Sequence, residues 1–220
     1  MSPAKTPLKI DFVSDVVCPW CAIGLNSLET ALKRLNDTTD GEIGADLHFH
    51  PFELNPQMAA EGEDIVEHLG RKYGIDAAQI ARNREAIRAR GESVGFRFGK
   101  RERTYNTFDA HRLLHWAGLE GRQRELKHAL LAAYHGEGEN LSDREVLVRC
   151  AAAVGLDEQR AREVLASGAY ADEVHAAERH WLELGIHSVP AVVVNDRHLI
   201  SGGQPPEVFE QALRQIAAQG

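Results

Sequence analysis

A chain of 220 residues, 43% hydrophobic and 26% charged, is long enough to bury a core without covalent staples. Its formal charge of −8 withholds the concentrated basic face that phosphate contact requires, so no nucleic acid is expected as a partner. No run of 18 apolar residues occurs, which excludes a helical membrane span, and three cysteines are too few for a secreted disulfide scaffold. The leading residues Met1 to Pro7 lack the apolar stretch of a secretory signal, so the expected location is cytoplasmic.

Leu8-Lys9-Ile10-Asp11-Phe12-Val13 alternates apolar and polar side chains, the period of a strand with one face on a core. After Cys18-Pro19-Trp20-Cys21, apolar residues recur at three- and four-residue spacing through 22–35, which predicts a helix that begins at the cysteines. A second strand is readable over 46–52, and the helix between suits a crossover joining parallel strands. Helical period then dominates 64–73, 76–90, 107–119, 122–134, 142–154, 158–166 and 171–184, with Ser142-Asp143-Arg144-Glu145 fitting a capping box. Strand character returns at 191–194, turns at Asn195-Asp196-Arg197 and resumes at 198–200 as a hairpin, and a last helix follows Pro205-Pro206. The expected fold class is α/β, built from both chain ends, 1–56 and 182–220, around an all-helical insertion over 57–181.

The chemistry centres on Cys18 and Cys21. A nucleophilic thiol must ionise near neutral pH, whereas a free cysteine is mostly protonated there. A cysteine at a helix start meets unpaired backbone N–H groups and the positive end of the helix dipole, both of which favour the anion. Pro19 suits the first helical turn, because it gives up an N–H that has no partner there. Cys21 lies one turn on, where it can close a disulfide with Cys18 while being better shielded. Cys18 is then the attacking thiol and Cys21 the one that resolves the mixed disulfide. C-x-x-C spacing also serves zinc, but no further pair of ligands stands out, so no metal and no cofactor is expected. Cys150, alone on a predicted helix beside Ala151, Ala152 and Ala153, reads as a small buried residue. Trp20 sits between the thiols and reads as site-lining, whereas Trp116 and Trp181 read as core.

Ser188-Val189-Pro190 stands just before the strand 191–194, and together with the C-x-x-C it suggests a cis Val189–Pro190 peptide beside the thiols. The Val189 backbone would then be free to pair with a substrate peptide as an added strand. Pro19, Trp20 and Val189 are the expected substrate-binding residues, with Cys18, Cys21 and Pro190 as the catalytic set.

These residues resemble the DsbA-like branch of the thioredoxin superfamily, in particular the FrnE-type disulfide oxidoreductases. The likeness is carried by Ser14-Asp15-Val16-Val17-Cys18-Pro19-Trp20-Cys21-Ala22-Ile23-Gly24, Pro51-Phe52-Glu53-Leu54-Asn55-Pro56, Asn106-Thr107-Phe108-Asp109-Ala110-His111-Arg112-Leu113, Gly185-Ile186-His187-Ser188-Val189-Pro190 and Ser201-Gly202-Gly203-Gln204-Pro205. It implies a thioredoxin fold interrupted by a helical insertion, Cys18 as attacking thiol, Cys21 as resolving thiol and Pro190 as the cis-proline. The expected partners are protein or peptide thiols and disulfides, with glutathione as a candidate small thiol. The resemblance leaves the oligomeric state open, and a cytosolic member's net direction would be reduction or isomerisation.

Two other readings compete. A glutathione-dependent isomerase or kappa-class-like transferase is similar in fold, but those enzymes use a serine near the position of Cys18, and retention of both cysteines favours redox chemistry. The basic run over 82–103 could meet glutathione's carboxylates, although a solvated helix face is the simpler account. A metal-binding protein is the second alternative, because His111 and His115 stand four apart on one helix face, but the glutamate of H-E-x-x-H is missing.

Overall fold

The computed structural model describes residues 7–38 and 43–219. The reading of residues 1–6 for a targeting segment therefore lies outside the described residues. The first part of the chain forms β1 (Leu8–Ser14), α1 (Pro19–Thr38) and β2 (Ala45–Pro51). It continues through β3 (Glu63–Asp64), α2 (Ile65–Tyr73), α3 (Ala77–Glu92) and β4 (Arg103–Thr104). Five helices follow: α4 (Phe108–Leu119), α5 (Gln123–Leu131), α6 (Arg144–Ala153), α7 (Glu158–Ser167) and α8 (Ala171–Glu183). The hairpin β5 (Ala191–Val194) and β6 (His198–Ser201) and the helix α9 (Pro206–Gln219) complete it.

Four strands pair in the order β2-β1-β5-β6. β1 runs parallel to β2, with Phe12 opposite Phe49, and antiparallel to β5, with Phe12 opposite Val192. This is a thioredoxin fold with a helical insertion. The β5–β6 turn places Asn195 and Asp196 at φ 53° and 55°, the left-handed pair that a tight hairpin turn requires and that Asn and Asp tolerate.

β1 differs from a strand with one covered face, since all its residues but Lys9 are buried. As an inner strand it is covered on both sides. Leu8, Ile10 and Phe12 pack with Ile23, Leu25 and Leu28 of α1 and Phe209 and Leu213 of α9, whereas Val13 packs with Trp181 and Ile186. Asp11 shares that second face and is buried, its Oδ1 2.7 Å from His50 Nε2 and its Oδ2 3.1 Å from Lys9 Nζ. Each fully buried leucine or phenylalanine of this kind contributes about 1.5–3 kcal/mol relative to exposure.

A second apolar cluster gathers residues of α4 to α7, including Leu113, Trp116, Leu130, Leu147, Cys150 and Leu165, together with Val16 and Val17 beside the thiols. The helices form near the expected positions, with two exceptions. α5 gives way after Leu131 to a π-helical turn, Ala132–Gly136, which turns Tyr134 and His135 into the interior. β3 and β4 form a two-stranded ribbon in which Glu63 faces Thr104. The capping box at Ser142 is corrected. Asp143 caps α6 by accepting the Glu145 N–H at 2.8 Å, while the Ser142 hydroxyl donates to the Asn106 carbonyl at 2.9 Å.

Candidate active site

The β1 strand ends at Ser14, and the chain enters α1 through Asp15-Val16-Val17-Cys18. Pro19 is the first residue of the helix, so Cys18 immediately precedes it and Cys21 lies within its first turn. The two cysteines stand 3.5 Å apart, both as free thiols. Cys18 retains 5% of its surface and Cys21 none, so the pair is ordered by accessibility.

The electrostatics separate the two sulfurs further. A hydrogen bond from the Cys21 thiol pulls Cys18 below the ordinary thiol range; burial opposes this, and the backbone N–H groups of Cys21 and Trp20 add to the lowering. Burial, followed by its donation to Cys18 and the negative charge there, drives Cys21 well above the ordinary range. One thiol is disposed to ionise and the other to keep its proton.

The loop before β5 completes this surface. The Val189–Pro190 peptide bond is cis, and the Val189 carbonyl oxygen lies 3.7 Å from Cys18 Sγ, positioned to accept the thiol proton's hydrogen bond. Gly24 makes this approach feasible. A Cβ there would stand 3.0 Å from Pro190 Cγ and 3.4 Å from Gly203 Cα, so any side chain would push Pro190 back by a few tenths of an ångström. A Cβ on Gly203 would reach within 2.8 Å of the Trp20 carbonyl oxygen. Trp20 itself is 42% exposed, beside the thiols, whereas Trp116 and Trp181 are buried. Cys150 is buried in the insertion's core, where burial raises its thiol, so it has neither the access nor the acidity of Cys18.

Beneath the thiols lies a set of buried ionisable groups, of which the sequence reading weighed only His111, as a metal ligand. Asp15 is fully buried, accepts the Leu54 N–H at 2.8 Å and stands 3.3 Å from His111 Nε2. Burial raises its carboxyl, but the His111 hydrogen bond and charge, with the Leu54 N–H, hold it below its usual range. Lys127 of α5 is 1% exposed, its pKa lowered by burial while the charges of Cys21, Asp15 and Cys18 pull the other way. His135, from the π-helical turn, is fully buried, and burial with the nearby Arg101 charge pushes it well below its usual range, so it is neutral. Asp15 and His111 both fall in segments that carry the resemblance, but nothing in their spacing joins them. Lys127 was detectable in principle, because it shares a helix stripe with Leu130 and Leu131.

The basic run over 82–103 is not a uniform patch. Arg82, Arg84 and Arg88 are exposed on α3, whereas Arg101 is drawn inward against the rings of Phe98 and Tyr134, 5.8 and 5.3 Å from their centroids. His111 and His115 part company: His111 meets Asp15, and His115 packs against the Tyr170 ring at 5.1 Å. Both line a cavity of about 350 Å³ between β2, α4, α5 and α8, together with His48, His50, Gln123 and Lys127. Neither cysteine lines it. No helix among the described residues is long and apolar enough to cross a membrane.

A family model described as DSBA-like thioredoxin domain matches residues 9–214. A probable DsbA oxidoreductase from Streptomyces coelicolor superimposes with a TM-score of 0.90 at 34% identity, covering 97% of this chain and 91% of that one. The cytosolic disulfide reductase DsbM from Pseudomonas aeruginosa, solved with GSH, gives a TM-score of 0.66 at 18% identity over 96% of this chain and 99% of its own, a likeness of fold. A Bacillus subtilis protein of uncharacterised function, YwbO, is 25% identical over 207 residues, 93% of this chain and 94% of its own.

Proposed function

Because the chain belongs to the DSBA-like thioredoxin domain family, we propose that it is a thiol–disulfide oxidoreductase of the DsbA/FrnE type working through Cys18 and Cys21. The observation that carries this reading is the pair itself: two free thiols 3.5 Å apart at a helix start, Cys18 made more acidic and Cys21 less.

In this reading the Cys18 thiolate attacks one sulfur of a substrate disulfide, forming a Cys18–substrate mixed disulfide and expelling the other substrate sulfur as a thiolate, which takes a proton from water. Cys21 then gives up its proton and attacks the Cys18 sulfur. The Cys18–Cys21 disulfide forms, and the second substrate thiolate leaves. Two electrons pass from the enzyme's dithiol to the substrate, and the reverse sequence oxidises a substrate dithiol. The high pKa of Cys21 keeps it a thiol until the mixed disulfide removes the negative charge of Cys18, one of the causes of that elevation.

Val189 and Pro190, with Trp20 and Pro19 opposite, form the substrate-binding surface. When Cys18 ionises, its hydrogen bond to the Val189 carbonyl is lost, freeing that oxygen for the N–H of an extended substrate segment. Substrates are protein or peptide disulfides, and glutathione is a candidate small thiol. Its carboxylates would meet Lys72, which donates to the Leu54 carbonyl and Asn55 Oδ1 and lies within electrostatic reach of Cys18. Segments 1–56 and 182–220 form the redox unit and 57–181 the insertion that covers it, in a cytoplasmic protein.

The test is thiol trapping across a series of glutathione redox buffers, read by peptide mass spectrometry. A reversible two-electron transition confined to the peptide containing Cys18 and Cys21, with Cys150 remaining reduced, is expected. A pair that never cycles would remove the oxidoreductase reading.

A further inference from the structure

Three side chains that include neither cysteine converge at the junction of the segment after β2 and the face of α8. Glu53, His175 and Glu178 each offer a ligand atom, and these atoms lie within 4.8 Å of one another. His175 and Glu178 are three apart on α8, so they share one helix face and point the same way. Phe108 stacks on the His175 ring at 4.6 Å between centroids, the planes 15° apart, which fixes the ring's orientation.

Two carboxylates this close need a counter-charge. Glu178 Oε1 is shielded from solvent and has no hydrogen-bond partner among the described residues, although the Glu53 backbone N–H bonds to the same carboxyl group. Besides Glu53, the charges nearest the Glu178 carboxyl are His111, His175 and Asp15. Lys and Arg side chains settle neither carboxylate: none is among the groups acting on Glu53 or Glu178.

We propose that Glu53, His175 and Glu178 form a binding site for a divalent first-row cation, of the zinc class, distinct from the Cys18–Cys21 pair. Two carboxylate oxygens and one imidazole nitrogen are a donor set that suits a borderline-soft ion, with remaining positions open to water. Tetrahedral zinc holds such atoms about 3.3 Å apart, so the three side chains, now within 4.8 Å of one another, would draw together around the ion. The ion would satisfy Glu178 Oε1 and tie the segment after β2 to α8. This proposal does not rest on the redox reading of the thiols.

The experiment uses the full chain carrying Cys18→Ser and Cys21→Ser, so that the thiols cannot supply the ligands, and Zn²⁺ alone as the probe. Titration calorimetry at pH 6 and pH 8 measures affinity, and Co²⁺ absorption reports the ligand set. One Zn²⁺ per chain is expected, bound more tightly at pH 8 than at pH 6. Glu178→Gln and the surface change His175→Ala should each weaken binding by at least tenfold, and His115→Ala should leave it unchanged. Thermal unfolding with a chelator present checks that each variant is folded; His175 is exposed, so His175→Ala keeps the test open if Glu178→Gln fails to fold. Absence of Zn²⁺ binding by the double-serine protein, or binding indifferent to His175→Ala, overturns the proposal and leaves the two glutamates as a proton-sharing pair.

Discussion

Asp15 accepts the backbone N–H of Leu54 at 2.8 Å, so a fully buried carboxylate fastens the segment after β2 to the loop three residues before Cys18. The same carboxylate acts on Cys18 through space, where its charge raises the thiol and works against the Cys21 hydrogen bond. Asp15 thus holds the site together and moderates its acidity. Asn at this position keeps an oxygen for Leu54 but loses the charge. In Asp15→Asn the Cys18 pKa is expected to fall further, measured as the pH midpoint of iodoacetamide alkylation, while unfolding in urea shows a loss of about 1–3 kcal/mol. A Cys18 midpoint that rises would contradict the assigned sign.

The Cys21 thiol is the foremost cause of the lowered Cys18 pKa. Cys21→Ala removes that donor, and the alkylation rate of Cys18 at pH 6 should drop roughly 3- to 10-fold, the thiolate fraction lost to a shift of up to one pKa unit. Cys21→Ser retains an O–H donor and should fall between the two. Equal rates in all three proteins would assign the acidity of Cys18 to the helix start instead.

Gly24 marks where α1 meets Pro190. A valine there brings two methyl groups into a contact already at 3.0 Å for a bare Cβ, so Gly24→Val is expected to destabilise by about 1–3 kcal/mol through overpacking. Because the displaced neighbour is Pro190, reduction of a disulfide substrate should suffer more than stability. Comparing turnover with urea midpoints separates the two effects.

Glu53 supplies a pH dependence whose direction is fixed. Its folded-state pKa is about 7 against an ordinary 4.5, so the folded chain binds this proton more tightly than the unfolded one. The corresponding stability is fully present below pH 4.5 and is lost as pH rises through 7. With a chelator present, Glu53→Gln should exceed the parent by about 1–2 kcal/mol at pH 8 and converge with it toward pH 4.5, a range already reduced for solvent screening of a part-buried group. Urea unfolding at several pH values reads this directly, and parallel curves would remove Glu53 as the source.

The elements carried by simple periodicity were legible in the sequence: β1, α1, the hairpin and the helices α2 to α9 follow from apolar spacing and turn residues. What escaped depends on groups that meet only in three dimensions. The two-residue strands β3 and β4 are too short to show alternation, and their pairing joins Glu63 to Thr104 across the whole of α2 and α3. The π-helical turn keeps the helical period through Tyr134, so nothing in the spacing marks the extra residue that swings His135 inward. Cys18, Pro19, Trp20, Cys21, Val189 and Pro190 were singled out by motif, and the structure brings Cys18, Val189 and Pro190 to one place. Asp15 and Lys127 carry the site's buried electrostatics, yet each reads in isolation as an ordinary polar residue, and His111, noted in the sequence only for its spacing to His115, meets Asp15 instead.

Cys18 and Val189, which touch in the folded molecule, are 171 positions apart in the chain. During synthesis the thiol pair leaves the ribosome long before the hairpin that flanks it exists, and β1 cannot find its antiparallel neighbour until nearly the whole polypeptide has emerged. Such long-range closure slows folding. For that interval the two cysteines are ordinary exposed thiols, open to stray oxidants and lacking the neighbours that set their acidity, so a truncated nascent chain carries the motif without the means to select a partner.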